Sequence, residues 1–363
     1  MCVRRCVITV GDLGEFGAVT RISGRLPQGE TVLLGPGDDA AMVSAPDGRV
    51  VVSTDLLVEG RHFRRDWSSG YDVGRKAAAQ NLADVAAMGA VPTAIVVGLG
   101  IPADLPVGWL DALTDGFRDE CAVVGASVAG GDIARSDLVV LGVTALGDLG
   151  GRAPVTRSGA RPGQVVAVAG RLGHAAAGLA LLEAGREGDR AREAGRAPSG
   201  NRLPGEAGRS DAPPGDGLPG EEDLEGDSGV ERALREAVAA HRRPCPPYAC
   251  GPEAARLGAS AMLDVSDGLL QDLGHVAAAS GVRVELDSAA FAVGAPVRAA
   301  AAALGIDPLD WVLTGGDDHA LAAVFPAEVR LGPSWQIVGR VVAGRGVAVD
   351  GRETGDGGWD HFR

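Results

Sequence analysis

The sequence predicts a mixed α/β (α+β) protein of two domains, each a sheet packed with helices. Three observations carry this prediction. The 363-residue chain is long enough for two domains of ordinary size. Residues 1–150 alternate β-branched runs with stretches of helical apolar period, the pattern of a layered sheet-and-helix domain. Residues 151–363 repeat the mixture, interrupted at about 185–229 by a segment of different composition.

The elements follow in order. Arg49 to Thr54 reads Arg-Val-Val-Val-Ser-Thr, a buried strand closed by Asp55 at its C-terminal end. Asp72 to Ala90 reads as a helix with Ala78, Leu82 and Val85 on one face and Gly89 near its end. Asn81 and Asp84 are three apart, so both project from one side of it. Thr93 to Leu99 is a second apolar strand. Pro106 starts a helix with the stripe Leu110, Leu113, Phe117 and Cys121, and Gly125 stops it. A strand over Ala126–Ala129 leads into Gly130-Gly131-Asp132, and Leu138–Leu146 is a further strand.

Thr156 to Gly163 is a turn-rich joint, followed by a strand over Gln164–Ala169 and a small-residue helix over His174–Glu183. From about Gly185 to Gly229 the chain is dominated by Gly, Pro, Glu, Asp, Arg and Ser, without aromatic or β-branched residues. Such a composition cannot offset chain entropy by burial, so a disordered insertion is expected there. A helix near Glu231–Ala240 follows. Ser260–Leu263 is a strand ending at Asp264, and Gly268–Ala279 is a helix with Leu269, Leu270, Leu273 and Val276 inward. Val282–Leu286, Ala320–Phe325 and Trp335–Val342 complete the strands.

Composition excludes some functions. A formal net charge of −14 argues against nucleic-acid binding, which relies on clustered Lys and Arg. It leaves phosphate ligands open, because divalent metals can supply positive charge locally. The five cysteines, Cys2, Cys6, Cys121, Cys245 and Cys250, lack zinc-site spacing and read as reduced, with Cys121 buried on a helix. No uninterrupted apolar run reaches membrane-spanning length, and the basic N-terminus has no apolar region after it. A cytoplasmic protein without membrane or nucleic-acid partners is expected.

The chemistry concentrates in six Gly/Asp-type clusters: Gly37-Asp38-Asp39, Ser53-Thr54-Asp55, Asn81-Leu82-Ala83-Asp84, Gly130-Gly131-Asp132, Asp264-Val265-Ser266-Asp267-Gly268 and Gly315-Gly316-Asp317-Asp318. Singly, a Gly-Asp-Asp is a turn more often than a metal site, and the same holds for Gly131-Asp132. Recurrence at strand ends, with the Ser53 and Thr54 hydroxyls beside Asp55, favours a hard cation such as Mg²⁺ around a polyphosphate. The Asp264–Gly268 segment lies at a strand-to-helix turn. Backbone N–H groups there could meet a phosphate, or Ser266 or Asp267 could cap the helix. There is no P-loop and no protein-kinase signature. Gly11–Gly17 loosely mimics a dinucleotide fingerprint without its βαβ context and is rejected. His62, seven residues beyond Asp55, is a structural histidine or a substrate contact, and Arg157 is an exposed arginine or a phosphate clamp.

Taken in order, these segments resemble thiamine-monophosphate kinase, in the superfamily of aminoimidazole ribonucleotide synthetase and selenophosphate synthetase. The most telling stretches are residues 53–63, 81–90, 156–160 and 264–269, and the resemblance runs from Gly14-Glu15-Phe16 to Gly358-Trp359-Asp360-His361-Phe362. It implies an aminoimidazole ribonucleotide synthetase-like fold and a homodimer whose N-terminal domains join through their sheets into a barrel. ATP and several Mg²⁺ ions would lie between the domains, and thiamine phosphate would be phosphorylated in line to thiamine diphosphate. By matching position, Asp39, Ser53, Thr54, Asp55, Asp84, Asp132, Asp264 and Asp267 would hold the metals. Gly131, Asp132, Arg157 and Ser266 would touch ATP, and His62, Asp317 and Trp359 would face thiamine phosphate. No side chain is assigned as acid, base or nucleophile. The family's usual Gly-Gly-Glu-Asp-Tyr-Glu is here Gly-Gly-Asp-Asp-His-Ala (315–320), which puts His319 in place of an aromatic. The rival readings are a superfamily sibling acting on an amide or selenide, and a non-catalytic Mg-nucleotide-binding module.

Overall fold

The computed structural model describes residues 8–34, 41–195 and 229–354. Asp38, Asp39 and Trp359 lie outside the described residues, as does most of the expected insertion. The first half comprises α1 (Val10–Ser23), β1 (Val32–Leu34), β2 (Met42–Val43), β3 (Val51–Val58), α2 (Gly70–Ala87), β4 (Val91–Ile101), α3 (Val107–Val124), β5 (Ser127–Arg135) and β6 (Val140–Asp148). β3, β6, β4 and β5 lie side by side in that order, with only the β4–β5 pair parallel; β1 and β2 form a separate antiparallel pair.

β3 obeys the two-residue period of a half-buried strand. Ser53, Asp55 and Leu57 turn inward while Val52, Thr54 and Leu56 are exposed. The expected fully buried strand is therefore half-buried, and Asp55 sits in its middle rather than at its end. Gly130-Gly131-Asp132 likewise is no turn but lies within β5, where Asp132 pairs with Gly98. A side chain at Gly131 would place its Cβ 2.1 Å from the Val97 carbonyl oxygen, so strand approach explains this glycine.

α2 and α3 cover the inner face of this sheet. Leu82 and Val85 of α2, and Leu110, Leu113 and Phe117 of α3, join Leu57, Ile95, Leu141 and Val143 in one core. The two helices meet at backbone distance: a Cβ at Gly74 would fall 2.1 Å from the Leu113 carbonyl oxygen. α3 ends where expected, with Gly125 in the left-handed conformation at φ 72°.

The second half adds β7 (Val165–Ala169), α4 (His174–Gly195), α5 (Gly229–Arg242), α6 (Cys250–Arg256), β8 (Ala261–Val265), α7 (Leu269–Ser280), β9 (Arg283–Leu286), α8 (Ala295–Leu304), α9 (Pro308–Thr314), β10 (Ala320–Phe325), β11 (Trp335–Val342), β12 (Gly346–Val349) and β13 (Arg352–Glu353). Its seven strands run β13-β12-β9-β11-β7-β10-β8, so β8 with Asp264 is an edge strand. α4 continues to Gly195, correcting the expectation that order ends near Gly185. α8 escapes a periodicity reading because Ala-Pro-Val-Arg-Ala-Ala-Ala-Ala-Ala-Leu has almost no large apolar side chains to mark a face.

α2 also packs against the second half. A Cβ at Gly251 of α6 would lie 2.0 Å from the Ala86 carbonyl oxygen. Tyr248 donates to Glu120 of α3 at 2.7 Å, and Arg243 pairs with Asp72 at 3.2 Å. This helix therefore has one side on each sheet, and its polar residues stand between them.

Candidate active site

Two side chains of α2 fasten β3. Asn81, fully buried, accepts from the Asp55 N–H at 3.1 Å and donates to the Ala77 carbonyl at 2.9 Å. Asp84 accepts from the Ser53 hydroxyl at 2.6 Å. Burial, followed by the nearby Asp264 and Asp55 carboxylates, pushes the Asp84 carboxyl up to about 7, although the Ser53 hydrogen bond acts in the opposite direction. The carboxylates of β3, α2 and β8 thus lie near enough to raise one another's cost of ionisation.

No group of three or more His, Cys, Asp or Glu among the described residues is placed so that it could hold a metal ion by itself. The donors are nevertheless all hard oxygens, carboxylate and hydroxyl, and crowded carboxylates held apart from bulk water suit Mg²⁺ together with phosphate and water oxygens. The residues present fit such an ion.

Asp264 is buried and meets His319 Nδ1 at 3.0 Å. Burial opposes charging the His319 ring, but Asp264 and Asp317 outweigh it and raise its pKa to about 10. Asp317 and His319 both hold left-handed backbone, at φ 70° and 52°, in the turn before β10. Non-glycine residues there are strained, and the turn is fixed by Asp317 N–H to Ser266 O at 2.8 Å and His319 N–H to Val265 O at 3.0 Å. Buried Lys76 of α2 forms an ion pair with Asp317. Burial alone would raise the Asp317 carboxyl, but Lys76, with His319 and His241, holds it well below the usual carboxylate range.

The β8–α7 loop corrects two expectations. Its helix cap residue is Gly268, rather than Ser266 or Asp267. The N–H groups of Ser266, Asp267 and Gly268 all point to one oxygen of Asp272, each at 3.1 Å, so a protein carboxylate stands where a phosphate was expected. Asp272 is buried, and its carboxyl is pushed up to about 7 by burial, against those N–H bonds. Its signal in the sequence is slight: an acid in the first turn of a helix, four residues after a glycine.

The remaining sequence-selected residues are dispersed. Thr54 turns to the outer face of β3, its hydroxyl donating to the Val143 carbonyl at 3.0 Å, away from the Ser53–Asp84 side. Asp132 is exposed on β5, with β4 and β6 between it and β3. Arg157 is exposed in the joint before β7, where its carbonyl accepts from Ser280 at 3.1 Å. His62 lies in the turn after β3 and accepts from the Val58 N–H at 3.0 Å through Nδ1. Within this chain, then, Ser53, Asp55, Asp84 and Asp264 come together, Asp317 joins them through His319, and Thr54 and Asp132 lie apart from them.

A profile of the AIR synthase related protein, N-terminal domain, matches residues 37–149. The chain is 48% identical to a thiamine-monophosphate kinase of Mycobacterium tuberculosis over 357 residues, 98% of this chain and 93% of that protein. The crystal structure of thiamine-monophosphate kinase from Stenotrophomonas maltophilia K279a superposes with a TM-score of 0.73 at 31% identity, covering 93% of this chain and 97% of that one. AaThiL complexed with AMPPCP and TMP superposes with a TM-score of 0.70 at 29% identity, covering 98% and 99%.

Proposed function

Because the chain belongs to the thiamine-monophosphate kinase family, we propose that it transfers the γ-phosphoryl group of ATP to thiamine phosphate, giving thiamine diphosphate and ADP. The observation that carries this reading is the approach of Asp55 of β3, Asp84 of α2 and Asp264 of β8 to one another, with Asp317 linked to them through His319. Several Mg²⁺ ions would be held by Asp55, Asp84, Asp264 and Ser53, with Asp39 and Asp267 as further oxygen donors. When bound, they neutralise the repulsion between two anionic reactants and orient their oxygens.

The chain's own residues position. Asn81 locks Asp55 to α2, Ser53 orients Asp84, and His319 orients Asp264. Asp317 offers its carboxylate to the cationic thiamine part of the acceptor, with His62 and Trp359 as further contacts. The acceptor phosphate is already ionised at neutral pH, so no general base is needed to activate it. Gly131, Asp132, Arg157 and Ser266 are assigned to ATP by family position. Thr54 and Asp132 lie on or near the exposed outer sheet face, so any metal contact from them involves a route other than the Ser53–Asp84 side.

The same face supports a homodimer. Val52 and Leu56 on β3 are 62% and 61% exposed, and apolar sheet faces of this kind mark association surfaces. The proposed division into domains falls near residue 150, between the two sheets. No helix among the described residues is long and apolar enough to cross a membrane, which is compatible with a cytoplasmic setting. Incubation with ATP, Mg²⁺ and thiamine phosphate should yield ADP and thiamine diphosphate in equal amounts. ATP binding without transfer would instead identify a nucleotide-binding module.

A further inference from the structure

Lys76 is a lysine with 3% side-chain exposure, and both of its hydrogen-bond partners belong to the other half of the molecule. One is the Asp317 carboxylate. The other is the His241 carbonyl, at 3.2 Å, in the last turn of α5, where helix carbonyls lack partners and favour a cation. Buried lysines are rare, and one that is desolvated keeps its charge only against a well-placed anion.

The geometry around Asp317 makes Lys76 the deciding contact. His241 Nδ1 and His319 Nε2 approach the carboxylate only to 3.8 Å, beyond hydrogen-bond range, and neither nitrogen has another hydrogen-bond partner. Among the described residues, Lys76 is the side chain that hydrogen-bonds it. Asp317 is 37% exposed at its side chain, so it is held from below while its open side faces outward. Lys76 also lies eight residues before Asp84 on α2, a rise of about 12 Å at 1.5 Å per residue. One rigid helix thus presents Asp84 to the metal-site carboxylates and Lys76 to Asp317.

We propose that Lys76 is a positioning residue for the acceptor: it fixes the Asp317 carboxylate for binding thiamine phosphate and ties that site to α2. The proposal rests on the reading of Asp317 as an acceptor contact. It gives Lys76 no contact with ATP.

Steady-state kinetics on the full chain test it, with Lys76→Met, Asp317→Asn and the double variant. Lys76→Met should raise KM for thiamine phosphate at least tenfold and leave KM for ATP within twofold. Asp317→Asn and the double variant should have the same KM for thiamine phosphate within twofold, because Lys76 acts through Asp317. Thermal melting without ligands should show Lys76→Met less stable than the double variant, which leaves neither the Asp317 carboxylate nor the Lys76 ammonium without its partner. If Lys76→Met does not fold, the comparison of Asp317→Asn with the double variant decides. A further rise in KM for thiamine phosphate from Asp317→Asn to the double variant would overturn the proposal, as would parallel increases in both KM values for Lys76→Met. Wild-type protein that turns over no thiamine phosphate would overturn the underlying reading instead, and the wild-type control separates the two failures.

Discussion

Asp84→Asn separates the stability of the site from its function. Asp84 is held by the Ser53 hydroxyl at 2.6 Å, and asparagine can accept the same hydrogen bond with its own oxygen. What changes is the charge. An ordinary aspartate ionises near 3.8, whereas burial and the Asp264 and Asp55 carboxylates move this one to about 7. At about 1.4 kcal/mol per tenfold, ionising Asp84 in the metal-free fold costs at most about 4 kcal/mol. The sign follows from linkage. The unfolded chain loses the proton near 3.8 and the folded chain only near 7, so stability falls as pH rises between those values and stays lost above them. At pH 8 with a chelator present, Asp84→Asn should therefore melt above wild type, by up to roughly 6 °C for a chain of this size. Below pH 4 the difference should vanish. Added Mg²⁺ and ATP should raise the melting temperature of wild type through mass action and do much less for the variant. Turnover by the variant should fall at least a hundredfold. Thermal melts across pH, with and without Mg²⁺, check the first part, and a coupled ADP assay checks the second. A variant less stable than wild type at pH 8 without metal would refute the carboxylate-crowding argument. Near-normal turnover at saturating ATP would refute the metal-site assignment.

Other outcomes follow from packing and exposure. Gly74→Ala gains about 1 kcal/mol of helix propensity but drives a Cβ to 2.1 Å from the Leu113 carbonyl oxygen, so denaturant melts should show a net loss of about 2 kcal/mol. Gly108→Ala on α3, where nothing lies within 4 Å, is the control and should gain up to about 1 kcal/mol. Leu56→Arg should shift the particle from dimer to monomer in light scattering, since it places a charge on the exposed β3 face; an unchanged mass would exclude that face as the interface. In native protein at pH 8, iodoacetamide should label exposed Cys245 and spare Cys121, which is 2% exposed and whose thiol burial pushes up to about 12; peptide mapping reads both.

Much of the architecture is legible locally because it repeats at short range. The helical period of Leu110, Leu113, Phe117 and Cys121 identifies α3, and Gly125 ends it for a stereochemical reason that acts on one residue. The alternation in β3 is equally local, yet the run of three valines reads as a buried strand, because nothing nearby states that one face of the sheet lacks a helix. Gly130-Gly131-Asp132 reads as a turn for the same reason: only the parallel neighbour β4 shows that these glycines are there for strand contact.

The sequence by itself determined the family, the carboxylate-rich segments and the elements that carry them, since each motif spans only a few consecutive residues. Tertiary structure decided which carboxylates meet. Asp55, Asp84 and Asp264 converge because α2 lies between two sheets, while Thr54 and Asp132 are turned elsewhere by strand parity and strand order. It also decided the fate of the β8–α7 amides, which Asp272 takes up, and of Asp317, held by a lysine 241 residues earlier in the chain. Such contacts depend on burial and on the relative placement of whole elements, and neither quantity has a local signature in the order of residues.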